Sequence, residues 1–153
     1  MDAAPCRRDQ REIEEMKILV MGLPGAGKTH LAERLQKVLN CAWYNADKVR
    51  EMANDWDFSP EGRVRQANRM RTFADFESSN KRIVICDFVC PTRQTRDAFD
   101  PGLVIWLNTI KAGRYEDTNM MFETPALVDW TVDKFLTDEQ IEEIGWEIKG
   151  YGV

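Results

Sequence analysis

Eight consecutive residues, Gly22-Leu23-Pro24-Gly25-Ala26-Gly27-Lys28-Thr29, satisfy every defined position of the pattern G-x-x-x-x-G-K-[ST]. The chemistry of such a run is anion binding. Its glycines let the backbone wrap around a phosphate, so that successive N–H groups and the start of a helix point at the charge. Lys28 supplies a cation for the β- and γ-phosphates, and Thr29 offers a hydroxyl to Mg²⁺. Contacts to a nucleoside triphosphate are therefore expected from Gly22, Pro24, Gly25, Ala26, Gly27, Lys28 and Thr29. His30, the single histidine, follows directly and reads as a helix-surface residue beside the phosphates.

Three further groups of residues carry reactive or ligand-holding types. In Asn45-Ala46-Asp47-Lys48-Val49-Arg50, Asp47 and Arg50 are three apart and share a helix face. A carboxylate there can take an acceptor's proton or hold Mg²⁺ through water, and the arginine can bind an anionic group. Helix capping by Asp47 and a surface role for Arg50 are the plainer alternatives. In the run from Asp55 through Phe58 to Arg63, Gln66, Arg69 and Met70, two arginines, an amide and an aromatic lie on one stripe. They could clamp an aromatic base and its phosphate, or form a solvated basic face. Finally, Ile83-Val84-Ile85-Cys86-Asp87 is an apolar run closed by a carboxylate that could hold Mg²⁺ in its outer shell. Phe88, Val89 and Cys90 follow, with Arg93 and Arg96 close behind and expected at the same crevice.

These groups need a scaffold that brings them together. Apolar runs at 17–21, 42–44, 82–88 and 103–107 read as strands, and 126–130 as a final one. Helices are expected at 28–39, where Leu31, Leu35, Val38 and Leu39 recur at helical spacing, and at 46–53. Ser59-Pro60 opens a helix to about residue 79, Pro91 precedes another at 92–99, and Thr137 with Gln140 caps a last one at 137–149. Strand and helix alternate, which predicts an α/β fold, three layers deep, with a mostly parallel central sheet flanked by helices. In such a sheet the ligand crevice lies at the C-terminal strand ends, where the 22–29, 45–50 and 83–90 groups fall. Residues 108–125 are polar, lack periodicity and read as a lid-like loop.

The chain has 153 residues, 43% hydrophobic and 31% charged, with a net charge of −5. That is one domain's worth, read as residues 16–153 behind a charged appendage at 1–15, disordered or a short helix. The acidic balance argues against a globally basic nucleic-acid binder, and no apolar run reaches the roughly 18 residues a membrane helix needs. Four cysteines without a secretory signal are expected as reduced thiols in a cytoplasmic protein.

Taken together, the residues resemble the adenylylsulfate (APS) kinase family. Its members carry G-L-x-G-A-G-K-[ST], then G-D-N-V-R, then D-L-G-F-S-x-x-x-R-x-x-N-x-x-R, then S-F-[IV]-S-P-x-R-x-x-R. The corresponding blocks here are 22–29, 46–50, 55–69 and 87–96, in register over about residues 16–107. The resemblance implies a P-loop kinase that moves the γ-phosphoryl of ATP, with Mg²⁺, to the 3′-hydroxyl of adenylylsulfate, and it implies a homodimer. By position, Asp47 is the carboxylate near the transferred group. Arg50, Phe58, Arg63 and Gln66 line the acceptor pocket, with Phe88, Val89 and Cys90 beside it. Gln66 stands where the family usually has Asn, and Asp87 and Cys90 where it has Ser. The family's long Lys-rich lid is replaced by a shorter segment, in which Arg114 is assigned to the phosphates and Phe122 to stacking on the acceptor base.

Two other readings stand beside this one. A kinase of the same fold could act on another acceptor, either a nucleotide-linked small molecule or a polynucleotide 5′-hydroxyl; the changed lid and Asp87 favour it. A nucleotide-dependent switch with little turnover is the third, and a guanine-reading N-K-x-D segment is missing.

Overall fold

The computed structural model describes residues 16–113 and 115–150. Five strands form one sheet in the order β2-β3-β1-β4-β5, and every pairing is parallel. They are β1 (Lys17–Gly22), β2 (Ala42–Asn45), β3 (Val84–Asp87), β4 (Leu103–Leu107) and β5 (Trp130–Val132). Among the described residues, six helices connect and cover them: α1 (Lys28–Leu39), α2 (Ala46–Ala53), α3 (Pro60–Ser79), α4 (Arg93–Phe99), α5 (Glu116–Met121) and α6 (Asp138–Gly150). The expected three-layer α/β architecture is the observed one.

The alternation of β1 explains the layers. Ile18 and Val20 face one side, with Leu31 and Leu35 of α1 and Ile141, Ile144 and Ile148 of α6. Leu19 and Met21 face the other, with Val49 of α2, Ala67, Met70 and Ala74 of α3, and Phe99 of α4. A strand buried on both faces must be apolar at every position, as residues 18–21 are. Each such side chain contributes on the order of 1.5–3 kcal/mol by leaving water. No helix among the described residues is long and apolar enough to cross a membrane.

Local chemistry sets the helix starts that carry the site. Asn45 Oδ1 accepts from the Lys48 N–H and caps α2. Ser59 Oγ accepts from the Gly62 N–H at 3.1 Å, with Pro60 in the first turn of α3. Thr92 and Thr95 form a reciprocal capping box on α4. Gly62 lies against the turn before it: a Cβ there would come within 2.2 Å of the Asp57 carbonyl oxygen. Gly62→Ala must therefore displace the loop that carries Asp57 and Phe58. A loss of about 1–3 kcal/mol is expected, read as a drop in melting temperature, together with weakened acceptor binding.

The elements differ from expectation at three places. The last strand is Trp130–Val132 and not 126–130, because Asp129 closes the edge with its own side chain. Its N–H donates to the Val104 carbonyl while its Oδ2 accepts from the Val104 N–H. β3 is shorter than 82–88, since Arg82 turns away to Glu77, although the Phe88 N–H still reaches the Val20 carbonyl. The segment expected as an unstructured lid holds α5, a six-residue helix too short to show a period. The appendage expected at 1–15 lies outside the described residues.

Candidate active site

The C-terminal ends of β1, β2 and β3 and the segment after β4 enclose one cleft of about 880 Å³. Its floor is the 22–29 loop. Gly25 and Gly27 adopt φ of +92° and +101°, the left-handed region that disfavours other residues. Gly22 is needed for a different reason: a Cβ would come within 2.8 Å of the Leu107 carbonyl. Lys28 Nζ donates to the carbonyls of Gly22 (3.0 Å) and Leu23 (3.1 Å), at the centre of the loop. Gly22 and Ala26 do not line the cleft. Ala26 is buried, donates its N–H to the Leu23 carbonyl and accepts from Thr109 Oγ1, so both residues frame the loop.

The loop suits a polyphosphate on grounds the helices supply. α2, α3 and α4 each have a side-chain cap. α1, twelve residues long, has none and carries no acidic residue in its first turn. Its N-terminal dipole opens on the cleft, where an anion completes it. His30 reaches the cleft's edge, with its Nε2 3.1 Å from Asp138 Oδ1 at the start of α6.

Asp87 stands at the end of β3, beside the central strand β1, and is 2% exposed. Trp43 Nε1 donates to its Oδ1 at 2.7 Å, Asn45 Nδ2 reaches both oxygens at 3.3 and 3.1 Å, and Thr29 Oγ1 lies 3.4 Å from Oδ2. Burial raises its carboxyl to about 6; those hydrogen bonds and Lys28 offset only part of that cost. A buried carboxylate beside a threonine hydroxyl and a phosphate loop is a donor set of the kind a divalent cation takes, and Thr29 and Asp87 are the residues that would hold it. The same burial has a stability consequence. A carboxyl raised in the fold is penalised once ionised: the penalty is absent below the ordinary value of 3.8, grows up to about 6 and is complete above it. Free of ligands, the wild type should thus lose stability relative to Asp87→Asn between pH 4 and pH 7.5, by on the order of 2–3 kcal/mol. The offset between the two at pH 4 reports the hydrogen bonds from Trp43, Asn45 and Thr29 that an amide accepts less well than a carboxyl. A difference in stability that does not change with pH contradicts this account.

The acceptor side is built from α2, the 54–59 turn and α3. Asp47 is exposed to the cleft in the first turn of α2. Arg50, one turn on and 5% exposed, donates to the carbonyls of Asp55 (2.8 Å) and Asp57 (3.3 Å). Its guanidinium lies 4.3 Å from the Phe58 ring centre, and that of Arg63 lies 5.4 Å from it. Burial lowers the pKa of both arginines. Arg63 also donates to the Phe58 carbonyl and to Thr118 Oγ1, tying α3 to α5. Gln66 Nε2 donates to the Ala46 carbonyl. Phe88, Val89 and Cys90 complete this wall, and burial pushes the Cys90 thiol up to about 12, so it stays protonated.

The structure thus brings Lys28, Thr29, Asp47, Arg50, Phe58, Arg63, Gln66 and Asp87 into one cavity. It separates others from it. Phe122 packs on Trp106 at 6.3 Å and beneath Arg96, so it is not the cleft's stacking aromatic; its partly apolar surroundings hold it against the sheet. Arg96 is spent on the carbonyls of Cys90, Pro91 and Glu123, and Arg93 points to solvent beside Asp97. Arg69 and Met70 do not line the cleft either: Arg69 pairs with Asp55 and Gln66, and Met70 is core. Arg114 lies outside the described residues. Trp56, half-exposed, forms part of the cleft wall. Asn45, Tyr115, Asp117 and Thr118 also line the cleft. Asn45 was legible as a strand-end residue, but nothing in the aperiodic 108–125 segment marked the last three.

Comparison with known proteins agrees with this geometry. The AAA domain family's sequence profile matches residues 18–117. A probable adenylyl-sulfate kinase of Aeropyrum pernix is 35% identical over 89 residues, 52% of this chain and 47% of that protein. The chain therefore matches about half of that relative's length. Among solved structures, a Mycobacterium tuberculosis APS kinase in complex with AMPPNP and APS superposes with a TM-score of 0.74 at 15% identity, covering 89% of this chain and 96% of that one. Shikimate kinase of Aquifex aeolicus superposes with a TM-score of 0.61 at 14% identity, covering 88% and 97%. The fold is that of the P-loop kinases, and the chain belongs to the AAA domain family.

Proposed function

We propose that this protein is an ATP-dependent kinase that phosphorylates the 3′-hydroxyl of adenylylsulfate, yielding 3′-phosphoadenylylsulfate and ADP. One observation carries the reading. A single cleft joins the phosphate loop and Asp87 to Asp47, Arg50, Phe58, Arg63 and Gln66, the residues matched to the APS-kinase acceptor pocket. The likeness to a probable adenylyl-sulfate kinase supports it.

The chain's own residues divide the work. The loop N–H groups and the α1 N-terminus receive the triphosphate, and Lys28 opposes charge that grows on the β- and γ-oxygens. Thr29 and Asp87 are the residues to hold Mg²⁺, which supplies further charge neutralisation when bound. Asp47 orients the acceptor hydroxyl and takes its proton as the new O–P bond forms and the bond from the γ-phosphorus to the β,γ-bridging oxygen breaks, releasing ADP. Arg50 and Arg63 are positioned for the acceptor's anionic group, while Phe58, braced between them, offers a ring face to a base. Little covalent chemistry falls to the protein: positioning and charge do the rest. A homodimer belongs to the same reading and is testable by light scattering.

A kinase acting on another nucleotide-linked acceptor or a polynucleotide 5′-hydroxyl is the second reading. Phe122 favours it, because its packing on Trp106 removes the lid aromatic assigned to the acceptor base. Phosphorus NMR of the reaction mixture decides between them. A new 3′-phosphomonoester on adenylylsulfate, formed with ATP in preference to GTP, supports the first; unchanged adenylylsulfate overturns it.

A further inference from the structure

Behind the acceptor wall lies a chain of polar contacts that reaches the cleft only through Arg50 and Gln66. Asp55 follows α2, and its carboxylate accepts from Arg65 Nε (2.8 Å) and Nη2 (3.1 Å) and from Arg69 Nη2 (2.8 Å). These donors hold its carboxyl well below the usual carboxylate range. Arg69 then gives its other terminal nitrogen to Gln66 Oε1 at 2.6 Å, and Gln66 Nε2 donates to the Ala46 carbonyl at 3.1 Å. The backbone carbonyl of the same Asp55 accepts from Arg50 Nη1 at 2.8 Å. One acidic residue thereby braces two members of the acceptor wall, Arg50 through its main chain and Gln66 through Arg69.

We propose that Asp55 and Arg69 are positioning residues that lock the Gln66 amide in one orientation, so that the cleft discriminates between acceptor base edges. The inference rests on the kinase reading above. The lock follows from donor and acceptor inventory. A guanidinium only donates and a carbonyl only accepts. Rotating the Gln66 amide by half a turn would set its NH₂ against the Arg69 guanidinium and its oxygen against the Ala46 carbonyl, losing two hydrogen bonds in a site that is 3% exposed. An amide with fixed ends offers a planar base a fixed donor and acceptor order. An amide free to turn accommodates either order. A 6-amino purine and a 6-oxo purine present opposite orders on that edge, so a fixed amide separates them.

The test is steady-state kinetics with Mg-ATP on adenylylsulfate and on its inosine counterpart. Arg69→Met is expected to raise the acceptor KM tenfold or more, to leave the ATP KM within twofold, and to lower the kcat/KM ratio between the two acceptors by tenfold or more. Arg69→Lys keeps one donor and is expected to recover part of the discrimination. Arg65→Met, which removes a half-exposed partner of Asp55 and Asp57 but leaves the Arg69–Gln66 contact, should change neither quantity by more than about threefold. A merely structural role would lower activity on both acceptors equally and leave the ratio intact, and that result overturns the proposal. Should Arg69→Met fail to fold, Asp55→Asn and Arg69→Lys decide by the same ratio, with unchanged discrimination counting against it. A wild type that phosphorylates neither acceptor overturns the adenylylsulfate reading and this inference with it; failure confined to the variants overturns the inference alone.

Discussion

Lys28→Ala is expected to lower turnover about a thousandfold or more, on the order of 4 kcal/mol of transition-state stabilisation. The lysine opens α1, a helix start that lacks a side-chain cap, and its Nζ sits between the Gly22 and Leu23 carbonyls at the centre of the loop. A cation there opposes charge that develops during phosphoryl transfer, in a cleft where water is partly excluded. The methylene stem carries little of the core, so the variant should keep its melting temperature within a few degrees. Near-wild-type turnover in a folded Lys28→Ala protein contradicts the assignment. Unfolding of the variant would instead assign Lys28 a scaffolding role.

Asp47→Asn is expected to reduce kcat by about 10²–10⁴-fold with the ATP KM little changed. Two observations separate this from a structural effect. The cap of α2 is Asn45, whose Oδ1 accepts from the Lys48 N–H, so Asp47 is not needed to start the helix. Asp47 is exposed to the cleft, and losing its charge from the first turn should cost no more than about 1 kcal/mol. A thermal-shift measurement alongside the kinetics checks both halves. An active Asp47→Asn enzyme would remove the carboxylate from proton transfer and leave it as surface charge.

The sequence made the scaffold legible because its signals were local. The 22–29 pattern, the apolar run at 17–21 and the caps at Ser59 and Thr137 each depend on a few neighbouring residues, and each is found where expected, whereas Thr92, read as the first residue of its helix, caps it instead. Side-chain direction was harder. Arg63, Gln66 and Arg69 share a helical stripe, yet Asp55 draws Arg69 out of the cleft while Phe58 and Thr118 draw Arg63 into it. No spacing rule contains the position of Asp55, because the turn before α3 sets it. Phe122 illustrates the same limit: an aromatic in a polar segment reads as a free ligand platform until Trp106 and Arg96, from two other elements, cover it. Trp43, which holds Asp87 at 2.7 Å, carried no motif at all. Its role exists only because β2 and β3 are neighbours in the sheet.

The central claim is that one cleft serves both ATP and adenylylsulfate. A coupled ADP-release assay with Mg-ATP, run with and without adenylylsulfate, addresses it most directly. Adenylylsulfate-dependent ADP release at micromolar acceptor, abolished in Lys28→Ala, is the predicted result. ATP binding without any stimulation by adenylylsulfate would contradict it, and would assign the Arg50–Phe58–Arg63 wall to a different acceptor.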